Sequence, residues 1–171
     1  QAMTLEDVLT MRSGLAWTED DGAVRALRHA SDAVKFVLDQ PLAAPPGAAF
    51  NYSSGNSHLL TSIIGKISGM PPQEFAQREL FEPLGISPDG WLTDRSGVAL
   101  GGWGLRLSAR EMAKLGYLFL RGGTWDGREI VTRAWVEAAT AVHADGGGTE
   151  PTGYGYHWWI HKTLGATMAL G

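Results

Sequence analysis

The chain has 171 residues, of which 44% are hydrophobic and 19% charged, a composition that is ordinary for a globular protein. This length suits one domain with its own core, or a large part of a larger enzyme. The net charge of -4, without a basic cluster, argues against a nucleic-acid partner, and no apolar run is long enough to span a membrane. The absence of cysteine excludes disulfides, thiolate metal sites and cysteine nucleophiles.

The first part of the chain is predicted to hold two short helices separated by a loop. Thr4 opens a capping-box pattern ahead of a short helix. Residues 17–30 mix acids, arginines and a glycine, which predicts a long loop with at most one helical turn. Ser31 is predicted to cap a second helix that ends near Asp39. The proline-rich stretch 41–46 then forces an extended backbone.

That stretch leads into the turn Tyr52-Ser53-Ser54-Gly55-Asn56, directly before the clearest helix of the sequence. The inner face of this helix is predicted from apolar residues at helical spacing, which are Leu59, Leu60, Ile63, Ile64 and Ile67. A turn that crowds polar groups beside a phenol can hold the phenol in a cleft, where it serves in proton transfer. The alternative is a capping turn, in which Ser53, Ser54 or Asn56 caps the helix and Tyr52 packs nearby.

The second half is predicted to hold three more helices. Prolines 71 and 72 open one helix, which closes at Gly85. Ser108 and Glu111 form a full capping box at the start of the next helix. A tight turn at residues 125–127 precedes a short helix over residues 132–139.

The end of the chain is predicted to begin a β-sheet. Glycines 146–148 mark a loop, and residues 154–160 alternate aromatic and small side chains, which predicts one strand. Residues 161–164 are predicted to form a hairpin tip, with residues 167–170 as the partner strand. We therefore expect a single partial domain over residues 1–171, mainly helical over 1–145, with the start of a sheet over 150–171.

Four stretches, in this order along the chain, resemble the serine hydrolases related to class C β-lactamases and penicillin-binding proteins. They are residues 4–15, 50–56, 101–105 and 153–159. The resemblance covers nearly the whole chain and is strongest to the branch that includes esterases and 6-aminohexanoate-dimer hydrolases. It implies an α/β fold of the β-lactamase/DD-peptidase type, of which this chain holds mainly the helical region and the start of a C-terminal antiparallel sheet.

The resemblance also implies chemistry: an ester or amide bond of a small-molecule substrate is cleaved through an acyl-enzyme intermediate, without metal or cofactor. Tyr52 matches the catalytic tyrosine of the family. Ser54 matches the third position of its Tyr-x-Ser triplet and is expected to hydrogen-bond Tyr52. Serine at that position is typical of the esterase and amide-hydrolase branch. Substrate contacts are expected from Ser54 and from four further residues, Asn56, Gly102, Trp103 and Trp17.

Several of these residues have structural alternatives. Asn56 is favoured as a helix cap, and Trp103 serves equally well as a core residue. Residues 17–20 either cover the substrate or form an exposed acidic loop. His157 and His161 are expected on one strand face, and because no third ligand is evident, no zinc site is predicted.

Two parts of the family's catalytic set are missing from this sequence. Three positions before the lysines Lys35, Lys66, Lys114 and Lys162 stand Asp32, Ile63, Glu111 and Trp159, so no Ser-x-x-Lys motif occurs. Leu164 replaces the glycine of a Lys-Thr-Gly strand motif. We therefore expect an interior fragment of a larger hydrolase, inactive alone, in which Tyr52 stays protonated because no lysine ammonium lowers its pKa.

Two expectations concern the longer protein. Relatives of this family are often exported, which favours the periplasm, while its oligomeric state is not predicted. The alternative function is a non-catalytic penicillin-binding-protein-like module that binds peptidoglycan or has a structural role.

Overall fold

The computed structural model describes residues 2–147 and 152–169. Its helices are α1 (Leu5–Leu9), α2 (Asp21–His29), α3 (Ala33–Leu38), α4 (Ser54–Ser68), α5 (Pro72–Ala76), α6 (Glu82–Leu84), α7 (Ala109–Leu120) and α8 (Arg133–Ala139), and a π-helical turn, Gln77–Phe81, joins α5 to α6. Its strands are β1 (Gly90–Trp91), β2 (Leu105–Arg106), β3 (Thr124–Trp125), β4 (Arg128–Glu129), β5 (Ala144–Asp145), β6 (Thr152–Tyr154), β7 (Trp159–His161) and β8 (Ala166–Met168).

The helical region is built on two hydrophobic cores. Helices α1 to α4 pack together around the first core, which includes the fully buried Leu27 and Leu100. The second core joins the end of the α5–α6 segment to α7 through buried side chains such as Phe81 and Leu118. Burial of these side chains removes apolar surface from water and stabilises the arrangement of the helices.

The local start and stop signals of the helices behave as predicted. Thr4 and Ser108 each form a complete capping box, at α1 and α7 respectively. Helix α4 begins after Ser53, whose hydroxyl oxygen accepts from the backbone N–H of Asn56 at 3.2 Å. It ends at Gly69, which adopts a left-handed conformation with φ of 69°.

Two predictions in the first part of the chain are wrong. Residues 17–30 contain the nine-residue helix α2 instead of a loop, with Asp20 as its N-cap. Leu27 is the only fully buried side chain of this helix, so its apolar periodicity is too weak to recognise. Asp32, and not Ser31, caps α3, because its carboxylate accepts from the backbone N–H of Lys35 at 2.8 Å.

Helix α4 buries a different face from the predicted one. Leu59 is buried as expected, but Ile63 is 37% exposed and Ile67 is 78% exposed. The first two turns instead bury polar residues, including Asn56 and His58. Tertiary packing has overridden the apolar pattern, because distant residues contact these buried groups: Met11 Sδ contacts Asn56 Nδ2, and Asp94 Oδ2 contacts His58 Nε2.

The end of the chain forms a four-stranded antiparallel sheet in the order β5-β6-β7-β8. The single strand predicted over 154–160 is wrong, because Tyr154 ends β6 and Trp159 begins β7 as directly paired residues. Between them the chain turns, with His157 at a φ of 61°. Strand β8 pairs with β7 as predicted, although the predicted end of that strand, Leu170, lies outside the described residues.

The structure describes part of the predicted glycine loop. Gly146 and Gly147 follow β5, and position 148 lies outside the described residues. Residues 162–165 form the turn between β7 and β8, so the hairpin tip is confirmed there. Across residues 2–147 and 152–169, no helix combines the length and hydropathy needed to cross a membrane.

Candidate active site

Tyr52 lies against an aromatic surface formed by Phe50, Tyr154 and Trp159. Its ring stacks on Trp159 with centroids 5.6 Å apart and meets the ring of Tyr154 edge-on at 6.2 Å. Phe50 contacts the rings of both Tyr154 and Trp159. Tyr154 is 2% exposed and anchors this group in the third core, where Met11 and Ala144 are also buried. The phenol of Tyr52 is therefore held by ring packing, while its side chain stays partly exposed.

The surroundings of Tyr52 favour its protonated form. Partial burial raises the pKa of Tyr52, and the negative charge of Glu19 raises it further. No residue of the described part hydrogen-bonds its hydroxyl, and none supplies a cation that would offset these effects. In this chain the phenol can donate a proton or a hydrogen bond, but it is not a base at neutral pH.

On the other side of the turn, the carboxylate of Glu19 accepts hydrogen bonds from Ser54 and Trp17. Its Oε2 accepts from the backbone N–H of Ser54 at 2.9 Å and from the indole N–H of Trp17 at 2.6 Å. Its Oε1 accepts from the hydroxyl of Ser54. Ser54 has only one hydroxyl proton, which it donates to Glu19, and no hydrogen bond joins Ser54 to Tyr52 within the described residues.

A further hydrogen bond joins the residue before Tyr52 to the segment that carries Glu19. The side-chain amide of Asn51 donates to the backbone carbonyl of Trp17 at 3.1 Å. We call Trp17, Glu19, Asn51 and Ser54 the polar clamp. The polar clamp attaches Asn51, directly before Tyr52, and Ser54, two positions after it, to the same segment. That segment leads into α2.

Two glycines allow close contacts around the clamp. A Cβ atom on Gly55 would lie 2.9 Å from the ring of Trp17, and one on Gly102 would lie 2.7 Å from Ser54 Cβ and Oγ. Gly102 therefore covers Ser54 directly, and Ser54 is only 5% exposed. The structure thus brings Trp17, Ser54 and Gly102 together, while their role in substrate binding stays a prediction.

Within the described residues, neither Trp103 nor Asn56 forms a ring contact or a hydrogen bond with Tyr52. Trp103 packs on the first core and lines a cleft of about 470 Å³ with residues of α2. Asn56 is fully buried inside α4 and does not cap it, so the expectation that Asn56 is the cap is wrong, whereas the capping turn itself is present with Ser53 as the cap. Its amide nitrogen lies 3.8 Å from Met11 Sδ, and its Oδ1 has no partner among the described residues.

Sequence reasoning missed the buried pair formed by His58 and Asp94. Their Nε2 and Oδ2 atoms lie 3.2 Å apart, and the pair joins α4 to the loop before β2. Burial lowers the pKa of His58, and the interaction with Asp94 opposes that effect only in part. The other oxygen of Asp94 accepts from the backbone N–H groups of Ser96 and Val98. The pair is a structural link between α4 and this loop.

The predicted placement of the two C-terminal histidines is wrong. His157 lies in the β6–β7 turn and only His161 lies in a strand, so they do not share a strand face. In the part of the chain that the structure describes, no group of three acidic or histidine side chains could hold a metal ion.

The sequence as a whole matches a known family. The family model described as Beta-lactamase matches residues 1–170. The chain belongs to the beta-lactamase family. A curated relative of this beta-lactamase-family chain is the 6-aminohexanoate-dimer hydrolase of Paenarthrobacter ureafaciens, which is 30% identical over 119 residues. That alignment covers 64% of this chain and 30% of the relative.

Solved structures share the fold. A Bacillus anthracis protein provisionally named a 6-aminohexanoate-dimer hydrolase superposes with a TM-score of 0.83 at 23% identity, over 99% of this chain and 50% of that chain. The octameric penicillin-binding protein homologue of Pyrococcus abyssi gives a TM-score of 0.74 at 21% identity, over 96% of this chain and 45% of the other. These likenesses confirm the expected α/β fold of the β-lactamase and penicillin-binding-protein type.

The beta-lactamase-family chain spans half or less of these relatives, 30% of the Paenarthrobacter enzyme and 50% of the Bacillus anthracis protein. The family match and the named relatives support a hydrolase. Sequence reasoning placed Glu19 in a segment that either covers the substrate or is an exposed acidic loop, and it missed the hydrogen bonds of Glu19 to Ser54. The pairing of Trp17 and Glu19 two positions apart is the signal that could have identified them, because both side chains then reach the same helix start.

Proposed function

We propose that this chain is the tyrosine-bearing part of a serine hydrolase that cleaves an ester or amide bond through an acyl-enzyme intermediate. The observation that carries the proposal is the position of Tyr52, whose partly exposed phenol is held between the aromatic surface and the polar clamp. A residue for proton transfer needs this combination of a fixed ring and a hydroxyl that no described residue engages in a hydrogen bond.

The proposed roles follow from the chemistry of acyl transfer. A serine outside these 171 residues attacks the substrate carbonyl, and Tyr52 with a lysine moves the serine proton to the leaving group. Backbone N–H groups stabilise the oxyanion. Within this chain, Trp17 with the clamp and Trp103 beside Gly102 form walls of the substrate site, and Ser54 and Asn56 support it from below.

The same proposal makes this chain inactive by itself. The chain would be a single partial domain, mainly helical over residues 1–145, with the start of the sheet over 150–171. Its Tyr52 has no ammonium neighbour among the described residues, so the phenol remains protonated and has no serine to activate. The parent enzyme would act on a small molecule with an ester or amide bond, and the name of the 6-aminohexanoate-dimer hydrolase relative supports a small-molecule substrate.

The test uses an activated ester, p-nitrophenyl acetate, with this chain and with a longer polypeptide that includes the missing motifs. We expect no burst and no acetylated serine by mass spectrometry in this chain, and both in the longer polypeptide. In the longer polypeptide, Tyr52→Phe should lower kcat by about 10²–10⁴-fold, the range for a lost proton-transfer group. A burst from this chain alone, traced to one serine, contradicts the inactivity. An unchanged kcat in Tyr52→Phe contradicts the role of the phenol.

A second candidate is a non-catalytic penicillin-binding-protein-like module. The observation in its favour is a relative in Bacillus subtilis, provisionally named a penicillin-binding protein, which is 29% identical over 92 residues and of which the alignment covers 22%. Labelling of the longer polypeptide with a fluorescent fluorophosphonate separates the two candidates. A hydrolase is labelled on one serine, whereas a module without the nucleophile stays unlabelled while it still binds peptidoglycan.

A further inference from the structure

Glu19 is a solvent-exposed polar side chain whose charge acts on Tyr52. Ser54, the residue expected to contact the substrate, is only 5% exposed, because Gly102 covers it on one side and Glu19 on the other. Glu19 is exposed, and its charge reaches Tyr52. A ligand that approaches the phenol therefore meets the carboxylate of Glu19 and not the hydroxyl of Ser54.

The carboxylate of Glu19 is held in one orientation. It accepts from the backbone N–H of Ser54, from the hydroxyl of Ser54 and from the indole of Trp17. Ser54 is the first residue of the fifteen-residue helix α4, so the carboxylate also lies at the positive end of the helix dipole. A carboxylate offers about four acceptor positions, and these donors fill all but one of them.

The charge of Glu19 is not balanced by a cation. Within residues 2–147 and 152–169, Glu19 forms no ion pair, and its hydrogen-bond donors are all neutral groups. A fixed, uncompensated negative charge beside a partly buried phenol attracts a positive group. One remaining acceptor position does not suit the two parallel hydrogen bonds of a guanidinium, but it suits an ammonium, which donates as a point charge.

We propose that Glu19 is a specificity-determining residue beside Tyr52 and that its free acceptor position takes a primary ammonium group. This inference rests on the proposed function for the location of the reaction. The ammonium comes either from the substrate or from a lysine of the longer polypeptide. In both cases the positive charge offsets the negative charge of Glu19, which raises the pKa of Tyr52, and so favours the phenolate.

The test measures binding of n-butylammonium to this chain and needs no turnover. The readout is the indole N–H signal of Trp17 in ¹H–¹⁵N spectra, assigned by its loss in Trp17→Phe, because this N–H donates to Glu19. We expect a saturable shift that weakens as salt is raised. The neutral analogue N-butylacetamide should leave the signal in place. Equal shifts with both compounds, or a shift with n-butylammonium that salt does not weaken, would overturn the proposal.

Matched variants separate Glu19 from other acidic side chains. Glu19→Gln keeps the size of the side chain and removes the charge, and should weaken n-butylammonium binding about fivefold, as expected for one partly exposed ion pair. Glu129→Gln, in the exposed strand β4, should leave binding unchanged. Equal affinities of Glu19→Gln and the unsubstituted chain overturn the proposal. If Glu19→Gln does not fold, the salt and neutral-analogue measurements on the unsubstituted chain still decide it.

The longer polypeptide distinguishes the two sources of the ammonium. If a lysine of that polypeptide takes the free acceptor position of Glu19, n-butylammonium binds this chain but not the longer one. If the substrate supplies the ammonium, both bind it. These results stand apart from the proposed function, because a longer polypeptide that binds n-butylammonium through Glu19 and is never acylated refutes the hydrolase mechanism and leaves the ammonium site intact.

Discussion

The two sides of Tyr52 are built on different physical principles. On one side, the aromatic surface of Phe50, Tyr154 and Trp159 holds the ring through packing of apolar area, with Tyr154 almost fully buried. On the other side, the polar clamp holds the backbone through hydrogen bonds to the exposed carboxylate of Glu19 and to the backbone carbonyl of Trp17. The stabilising energy of packing is the sum of many atom contacts, which water does not restore when a ring is removed. Hydrogen bonds near solvent contribute little net stability, because water can replace the lost partner. The aromatic side should therefore determine stability, and the clamp should determine the electrostatics of the phenol.

The largest effect is expected for removal of the buried ring of the aromatic surface. Tyr154→Ala should lower the free energy of unfolding by about 3–5 kcal/mol, because a large cavity opens in the third core. The matched control is Tyr117→Ala, whose ring is 50% exposed and should cost clearly less. Urea unfolding followed by circular dichroism measures both. Similar losses for the two variants would contradict the difference between the two sides of Tyr52.

A pH dependence is expected from His157, which lies in the turn beside Tyr154. Burial lowers the pKa of His157 from 6.5 to about 4, so the unfolded chain takes up the proton first as the pH falls. The stability associated with neutral His157 is complete above about pH 6.5 and is lost progressively as the pH falls to about 4, by about 3 kcal/mol.

Substitution of His157 isolates this contribution. His157→Asn should reduce the slope of stability against pH in that window, and asparagine tolerates the left-handed backbone at this position. Some slope remains, because burial also lowers the pKa of His58. His29→Asn, an exposed control in α2, should leave the slope unchanged. Urea unfolding at a series of pH values measures the slope. An unaltered slope in His157→Asn would show that His157 does not cause the pH dependence.

A smaller effect is expected where the clamp is covered. Gly102→Ala would place a Cβ atom 2.7 Å from Ser54 Cβ and Oγ, so Ser54 must move away. We expect a loss of about 1–3 kcal/mol, the range for overpacking, and a changed environment of the Trp17 indole. Gly116→Ala, in helix α7 with no atom near the added Cβ, should stabilise by about 0.5–1 kcal/mol. Thermal unfolding compares them, and a gain from Gly102→Ala would mean that Ser54 is not tightly covered.

The smallest change in stability and the clearest electrostatic change are expected for Glu19→Gln. Stability should change by no more than about 1 kcal/mol, because the carboxylate is exposed. The pKa of Tyr52 should fall, because one of its two causes of elevation, the negative charge, is removed while burial remains. Absorbance titration of tyrosinate, with Tyr52→Phe to identify the Tyr52 component, measures the shift. Glu129→Gln should leave that pKa in place, and a fall of similar size there would assign the effect to net charge.

Features encoded by neighbouring residues could be predicted from the sequence. The capping boxes at Thr4 and Ser108, the glycine stop at Gly69 and the β7–β8 hairpin all depend on residues a few positions apart. The family match over residues 1–170 agrees with the four motif stretches in their order. Such local rules are strong because only a few backbone conformations satisfy them.

Features that depend on distant residues were missed or misplaced. Helix α2 has too few buried side chains for a clear pattern, and the β6–β7 turn interrupts an alternation that looks like one strand. Asn56 was expected at a cap but is enclosed in α4 beside Met11, which lies 45 positions earlier. In each case the partner that decides the burial is far away along the chain.

By itself, the sequence determined the family, the position of Tyr52 before a capped helix, and the lack of a Ser-x-x-Lys pair, since each of these is a matter of residue type and spacing. Only the tertiary structure decided that Ser54 is covered and that Glu19 is exposed in its place. The hydrogen bonds responsible join residues 35 positions apart. A contact at that separation depends on how α2, α4 and the segment around Gly102 pack, which no local pattern encodes.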